Sequence, residues 1–179
     1  MAITTLNNRS INRSDTASAD QVWTATSATA SDFQAASSGK LLQFVNQEEQ
    51  TAFSTTSSSA VDSGVNVSIT PTASDSKILL TTNFTARTAG NTYASFYIYR
   101  QIDGGGYSEL ERLEGGWHYY IDEDTSTSFV GKKVDTTHNT TNQIDYKIYC
   151  HVQGGGSTLS LLPDGTNELG NFSAMEIGA

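Results

Sequence analysis

The sequence predicts an all-β protein: an antiparallel β-sandwich, jelly-roll-like, carried behind an extended N-terminal arm. Three observations predict it. From Lys40 onward apolar and polar residues alternate with the period of a strand. Short Gly-rich turn signals separate those runs, as at Asp103-Gly104-Gly105-Gly106, Glu114-Gly115-Gly116, Gln153-Gly154-Gly155-Gly156 and Pro163-Asp164-Gly165. Finally, 22 Ser and 24 Thr suit the exposed faces of strands, where backbone fit matters more than charge. No convincing helical period is present.

The composition changes near Gly39. Residues 1–39 contain one Trp, one Phe and no Tyr, among many Ser, Thr, Ala, Asn and Asp. Alone, such a segment buries too little apolar area to offset its ordering entropy. It carries spaced anchors at Ile3, Leu6, Ile11, Val22, Trp23 and Phe33, and Asn-Arg-Ser twice, around Arg9 and Arg13. We expect a docking arm over 1–39 that orders on a partner, with Ile3, Leu6, Arg9, Ile11, Arg13, Val22 and Trp23 as its contacts.

Residues 40–179 are expected to form the sandwich head, with nine or ten strands. Val65, Val67 and Ile69 face one way; Asn66, Ser68 and Thr70 face the other. Ile78, Leu80, Phe84 and Ala86 share a face. The clearest alternation is Ile144, Tyr146, Ile148, Cys150 and Val152 inward, with Asp145, Lys147, Tyr149, His151 and Gln153 outward. This puts the lone cysteine in the core as a small, inert hydrophobe. Tyr107 to Leu113 carries the weakest strand signal. One strand is apolar on both sides: Phe96 and Ile98 on one face, Tyr93, Tyr97 and Tyr99 on the other. A strand of this kind is covered twice, and a second subunit is the economical cover. We expect a homo-oligomer with Tyr93, Tyr97 and Tyr99 at its interface.

Charge narrows the function. Ten Lys and Arg against 19 Asp and Glu give −9, with no basic stripe for nucleic acid. No apolar run approaches the roughly 18 residues of a membrane span, and Met1 to Ser10 has no apolar signal-peptide region. With no Gly-x-Ser-x-Gly elbow and no Gly-Lys-Ser/Thr loop, neither a nucleophilic hydrolase nor a phosphate cradle is expected. Glu109 and Glu111 lie on one strand face and cannot oppose each other across a scissile bond. Asp122-Glu123-Asp124 lacks EF-hand spacing and reads as a solvated turn. His118, His138 and His151 lack metal-ligand spacing, and His151 is expected to be exposed. We expect no enzyme activity, no cofactor and no metal. Sequons at Asn8, Asn12, Asn66, Asn83, Asn139 and Asn171 follow from the composition.

The better binding candidate is aromatic. Tyr107, Trp117 and Tyr119, with Asp122 and Asp124 nearby, offer rings for the apolar faces of sugars and acceptors for their hydroxyls. Core or interface packing competes with this reading for the same rings.

Several stretches also carry a resemblance. They are Gly39-Lys40-Leu41-Leu42-Gln43-Phe44-Val45, Ala52-Phe53-Ser54-Thr55-Thr56-Ser57-Ser58, Val65-Asn66-Val67-Ser68-Ile69-Thr70-Pro71, Ser74-Asp75-Ser76-Lys77-Ile78-Leu79-Leu80 and the ending Phe172-Ser173-Ala174-Met175-Glu176-Ile177. Their order resembles the small β-sandwich heads of tail-fibre and virion-surface proteins of marine tailed bacteriophages. Asn12-Arg13-Ser14-Asp15-Thr16-Ala17 and Trp23-Thr24-Ala25-Thr26-Ser27 resemble the virion-attachment segments of that group. The chain departs from a full tail fibre in having no long shaft.

The resemblance implies a non-enzymatic structural protein of the virion, assembled in the bacterial cytoplasm and trimeric. Its arm would be anchored on other virion proteins and its head would face a host-surface glycan. A capsid decoration or tail adaptor is the alternative it leaves open, and a free lectin-like protein a further one.

Overall fold

The computed structural model describes residues 21–25, 31–35, 39–90, 92–113, 119–121, 125–153, 157–164 and 168–179, with the backbone alone at 21–25, 31–35 and 119–121. The chain divides into two units, Met1–Lys40 and Leu41–Ala179.

In the first unit, β1 (Gln21–Ala25) and β2 (Ser31–Ala35) form an antiparallel hairpin with Trp23 opposite Phe33. Part of the expected arm is therefore paired backbone. Both strands carry the aromatic residue central to their register, which is the residue type strands favour.

The second unit is an all-β antiparallel sandwich, as the alternation predicts. Its described strands are β3 (Leu41–Glu49), β4 (Phe53–Thr55), β5 (Val61–Ile69), β6 (Lys77–Ala89), β7 (Thr92–Ile102), β8 (Ser108–Arg112), β9 (Tyr119–Ile121), β10 (Thr127–Asp135), β11 (Ile144–Gln153), β12 (Thr158–Leu161) and β13 (Gly170–Ile177). These are more than the nine or ten expected, because β4, β9 and β12 are too short to show a period. The weak signal at Tyr107 to Leu113 does contain a strand, β8.

The larger sheet is organised by β6, which spans 13 residues. One of its edges pairs first with β13 and then, further along, with β12; its other edge pairs with β10. β3 extends the sheet beyond β13, and β4 extends it beyond β12. The smaller sheet runs β5-β11-β7-β8, with β9 on the same edge of β7 as β8.

The inward positions meet between the sheets. Val65, Val67, Ile69, Ile78, Leu80, Phe84, Ala86, Phe96, Ile98, Ile144, Tyr146, Ile148, Cys150 and Val152 are all buried. Phe84, Phe96 and Phe129 form a tight triad, with ring centroids 4.6 to 5.1 Å apart. Burial pushes the Cys150 thiol up to about 12, consistent with the inert role read from sequence.

Two buried carboxylates close one end of the sandwich. Asp135 on β10 and Glu176 on β13 are the register partners of Ile78 from opposite edges of β6. Arg100 Nη1 donates to both Asp135 oxygens at 2.9 and 2.8 Å, and the Tyr146 hydroxyl donates at 2.8 Å. The Thr137 N–H and hydroxyl complete the set. Glu176 accepts from Gln43 Nε2, the Thr72 N–H and hydroxyl, and the Ala73 N–H at 2.6 to 3.1 Å. Burial alone would raise both carboxyls. The hydrogen bonds outweigh it, led by Arg100 at Asp135 and Gln43 at Glu176, and both lie below their ordinary values.

Because both folded values are depressed, their stabilisation is complete above the ordinary values of 3.8 and 4.5 and is lost as pH falls through the folded ones. Thermal melts of the wild type should hold a constant midpoint from neutral pH to about pH 5, then fall. Asp135→Asn should lose about 3 kcal/mol at neutral pH, since Arg100 is left facing an uncharged group. Asp135→Asn and Glu176→Gln should each flatten the acid limb.

Candidate functional site

Among the described residues, the outer face of the smaller sheet gathers most of the aromatic side chains that the core does not use. On β11 the outward positions are Asp145, Lys147, Tyr149 and His151; on β7 they include Tyr97 and Tyr99. Cross-strand register sets Tyr149 opposite Tyr97 and Lys147 opposite Tyr99. On the far side of β7, Arg112 faces Tyr97 and Glu109 faces Tyr99, with a bulge in β8 between them.

The rings form a ladder. His151 stacks on Tyr97 at 5.6 Å, Tyr97 meets Tyr99 edge to face at 6.4 Å, and Tyr99 stacks on Tyr149 at 4.1 Å and 19°. Tyr107 extends the series to 6.2 Å from Tyr149. Cations lie over two of the rings: Arg112 lies 5.6 Å over Tyr97, and Lys147 Nζ lies 4.9 Å over Tyr107.

Stacking turns the faces of Tyr99 and Tyr149 onto each other. Ring edges and phenol oxygens are therefore what this face offers to solvent. Both side chains are half-buried, and among the described residues neither hydroxyl has a protein hydrogen-bond partner. Burial first, and the Glu109 carboxylate second, raise the Tyr99 hydroxyl above its ordinary value. Burial raises Tyr107 as well, against the pull of Lys147. These are neutral phenols that can donate and accept.

A bulge in β5 supplies the acidic neighbour. Ser63, Gly64 and Val65 stand where Ile148 alone stands on β11, between the pairs Asn66–Lys147 and Asp62–Tyr149. Gly64 takes φ +87° there, its N–H donates to Asp62 Oδ1, and the Ser63 hydroxyl donates to the Ile148 carbonyl at 2.7 Å. The bulge places Asp62 beside Lys147, whose Nζ donates to it at 2.6 Å. That bond raises the Lys147 ammonium above its ordinary value, with burial opposing. A groove of about 500 Å³ runs from this bulge along Glu49, Thr51, Ala52 and Phe53. Asp62 lines both the groove and the ladder.

The structure thus brings Tyr97, Tyr99 and Tyr107 together. Tyr97 is only 8% exposed, and its cover comes from His151 and Arg112 of the same chain, so the second layer inferred for β7 is partly internal. Tyr93 is exposed and lies opposite Tyr120 in the β7–β9 register. Tyr119 lies opposite Ala94; its side chain, like those of Val22 and Trp23 in β1, is outside what is described. Trp117, Asp122 and Asp124, and the arm residues Ile3, Leu6, Arg9, Ile11 and Arg13, lie outside the described residues.

Sequence reasoning missed Tyr149, His151, Lys147 and Asp62 as members of the site. For three of them the signal was present, since the alternation of β11 already turned Lys147, Tyr149 and His151 outward. His151 is half-buried rather than exposed, because it stacks on Tyr97. Among the described residues no three His, Cys, Asp or Glu side chains group as metal ligands.

No family model and no curated protein matches the chain. Solved structures do align. A chain of infectious bursal disease virus Gx strain matches with TM-score 0.47 and 11% identity, over 87% of this chain and 36% of that one. The VP2 subviral particle of infectious bursal disease virus gives 0.45 and 9%, over 86% and 43%. The CBM22-1 xylan-binding domain of Paenibacillus barcinonensis Xyn10C gives 0.38 and 11%, over 81% and 99%. The chain therefore spans less than half of the virus proteins and nearly all of the xylan-binding domain. At these scores the matches assign neither family nor role.

Gly64→Ala tests the bulge. No atom lies within 4 Å of an added Cβ, so its cost is backbone strain, about 1–2 kcal/mol. Chemical denaturation should read that loss.

Proposed function

We propose that this chain is a non-enzymatic virion structural protein of the short tail-fibre or spike type. An N-terminal arm over residues 1–39 anchors it to other virion proteins, and a trimeric β-sandwich head contacts a host-surface glycan. The observation that carries the binding part is the ring ladder of Tyr97, Tyr99, Tyr149 and Tyr107, beside the Lys147–Asp62 pair. Tyr99 and Tyr149, half-buried phenols without a hydrogen-bond partner among the described residues, stacked on each other and next to a fixed ion pair, suit the hydroxyl-rich edge of a saccharide. A saccharide edge can both donate and accept, which matches phenols better than it matches a purely acidic or basic ligand. Weak contacts repeated over several heads then add through effective concentration.

The binding test is a glycan array on the intact protein. Binding should fall about tenfold, a loss of roughly 1.4 kcal/mol, in Tyr149→Ala and in Tyr107→Ala, with folding checked by thermal melt. A flat array with the folded wild type would remove the glycan.

A second reading is a capsid decoration or tail adaptor with a purely structural role. A separate observation favours it: the larger sheet leaves Leu41, Phe44, Val130 and Val134 exposed on its outer side. Both readings require the arm, so deleting residues 1–39 should abolish incorporation into particles. Retained incorporation, measured on purified particles, would refute the anchor.

A further inference from the structure

The outer face of the larger sheet has an apolar band that nothing in the described sandwich covers. Register builds it one row at a time. Phe44 on β3 pairs with Met175 on β13, Met175 with Leu79 on β6, and Leu79 with Val134 on β10. All four occupy outward positions. Phe44 is 55% exposed and Val134 43%, while Met175 and Leu79 are half-buried. The row toward one end is Leu41, Ile177 and Lys77, with Leu41 56% exposed. The row on the other side is Asn46, Ser173, Thr81 and Lys132. A lysine therefore stands in the row on each side of the four-residue apolar row.

These lysines differ from the other cations of the sandwich. Arg100 is held by Asp135, Lys133 by Glu111, Lys147 by Asp62, and Arg112 by the Tyr97 ring. Lys77, Lys132 and Arg87 have no such partner among the described residues. All three lie at outward positions of this one face, on β6 and β10. Among the described strand residues its carboxylate is Glu48, two rows from the apolar one. A chain of net charge −9 thus flanks its exposed apolar band with two cations unpaired among the described residues, Lys77 and Lys132, while Arg87 lies farther along β6 on the same face. Exposed carboxylates lie elsewhere, at Asp75, Asp103, Glu109 and Asp164.

We propose that this face, centred on Phe44, Met175, Leu79 and Val134, is the surface on which a second copy of the chain docks. Two such faces meeting each other would set lysines against lysines, whereas the remainder of the chain is acidic. The contact is therefore head to tail, cationic apolar face to acidic surface, which is the kind of contact that closes a cyclic trimer. This deepens the trimeric part of the function proposed above and moves the principal interface from the tyrosines to the opposite sheet.

The test is the mass of the full chain in solution, by light scattering after gel filtration at micromolar concentration. The wild type should run as an oligomer. Phe44→Ser combined with Val134→Thr should raise its dissociation constant at least tenfold, with an unchanged thermal melt showing that the head still folds. Lys132→Glu, which leaves every apolar contact in place, should weaken it in the same direction, and added salt should weaken the wild type. An oligomer indifferent to both variants would overturn the placement of the interface and leave the trimer standing. A monomeric wild type would overturn both, leaving the face to another protein or to the arm of the same chain.

Discussion

The Asp135 carboxylate is the interaction on which the most other features depend. It sits at the end of β10 in the larger sheet, and its partners Arg100 and Tyr146 come from β7 and β11 in the smaller one. A buried charge is tolerated only when its hydrogen bonds are complete, so this site admits one alignment of the two sheets. Tyr146 in turn fixes which residues of β11 face inward. A slip of one residue would turn Tyr149 and Lys147 into the core and Ile148 out to solvent. The ring ladder on the outer face is thus held in place from the inner one. Glu176 does the same for β13 and the segment around Thr72 and Ala73, so a single level of the sandwich, that of Ile78, is gripped on both sides.

The two outer faces solve the problem of exposed aromatic and aliphatic groups differently. On the smaller sheet the rings cover each other and recruit Arg112 and Lys147 as caps, leaving polar oxygens and edges toward water. On the larger sheet Phe44, Met175, Leu79 and Val134 lie side by side across four strands with no such cover. Aromatic stacking makes the first face rigid without a partner. The second gains from one, because apolar area left in water contributes nothing until something removes it.

How much of this was legible in the sequence follows from the length of each signal. β5, β6 and β11 alternate over nine to thirteen residues, and their inward sets were read correctly. β4 and β9 are three residues long, which is less than two periods, so no pattern was available. Tyr97 and Tyr99 were correctly read as facing away from the core; that Tyr97 finds its cover in His151 and Arg112 depends on the pairing of β7 with both β11 and β8, which no local window contains. Asp62 was invisible for a related reason. The two extra residues at the Gly64 bulge keep Asp62 on the outer face that alternation from Val65 predicts, but they set it opposite Tyr149 and beside Lys147, a neighbourhood that only the cross-strand register reveals. Asp135 looked like any strand-end acid. Its burial is a property of three strands together. Phe44, Leu79, Val134 and Met175 come from four separate strands, and only register makes them one row.

The free edges of the sandwich add a constraint on how copies can meet. β5 is an edge strand broken by its bulge, and the opposite edge of that sheet is divided between the short strands β8 and β9. Such edges resist pairing with another chain. In the larger sheet β3 carries a bulge at Leu42 and ends in Glu48 and Glu49. β10 is different: its nine residues pair with β6 in unbroken register, and its other edge is free within the described residues. Lys132 stands on its outer face without an ion-pair partner among the described residues, a charge of the kind that discourages edge-to-edge pairing of identical strands, whereas Lys133 faces the other way and is neutralised by Glu111. That charge does not oppose an acidic surface. Lys132 therefore discriminates between two ways for copies to associate, disfavouring the strand-to-strand route that leads to open aggregation while leaving the adjoining apolar row free for a contact of opposite sign.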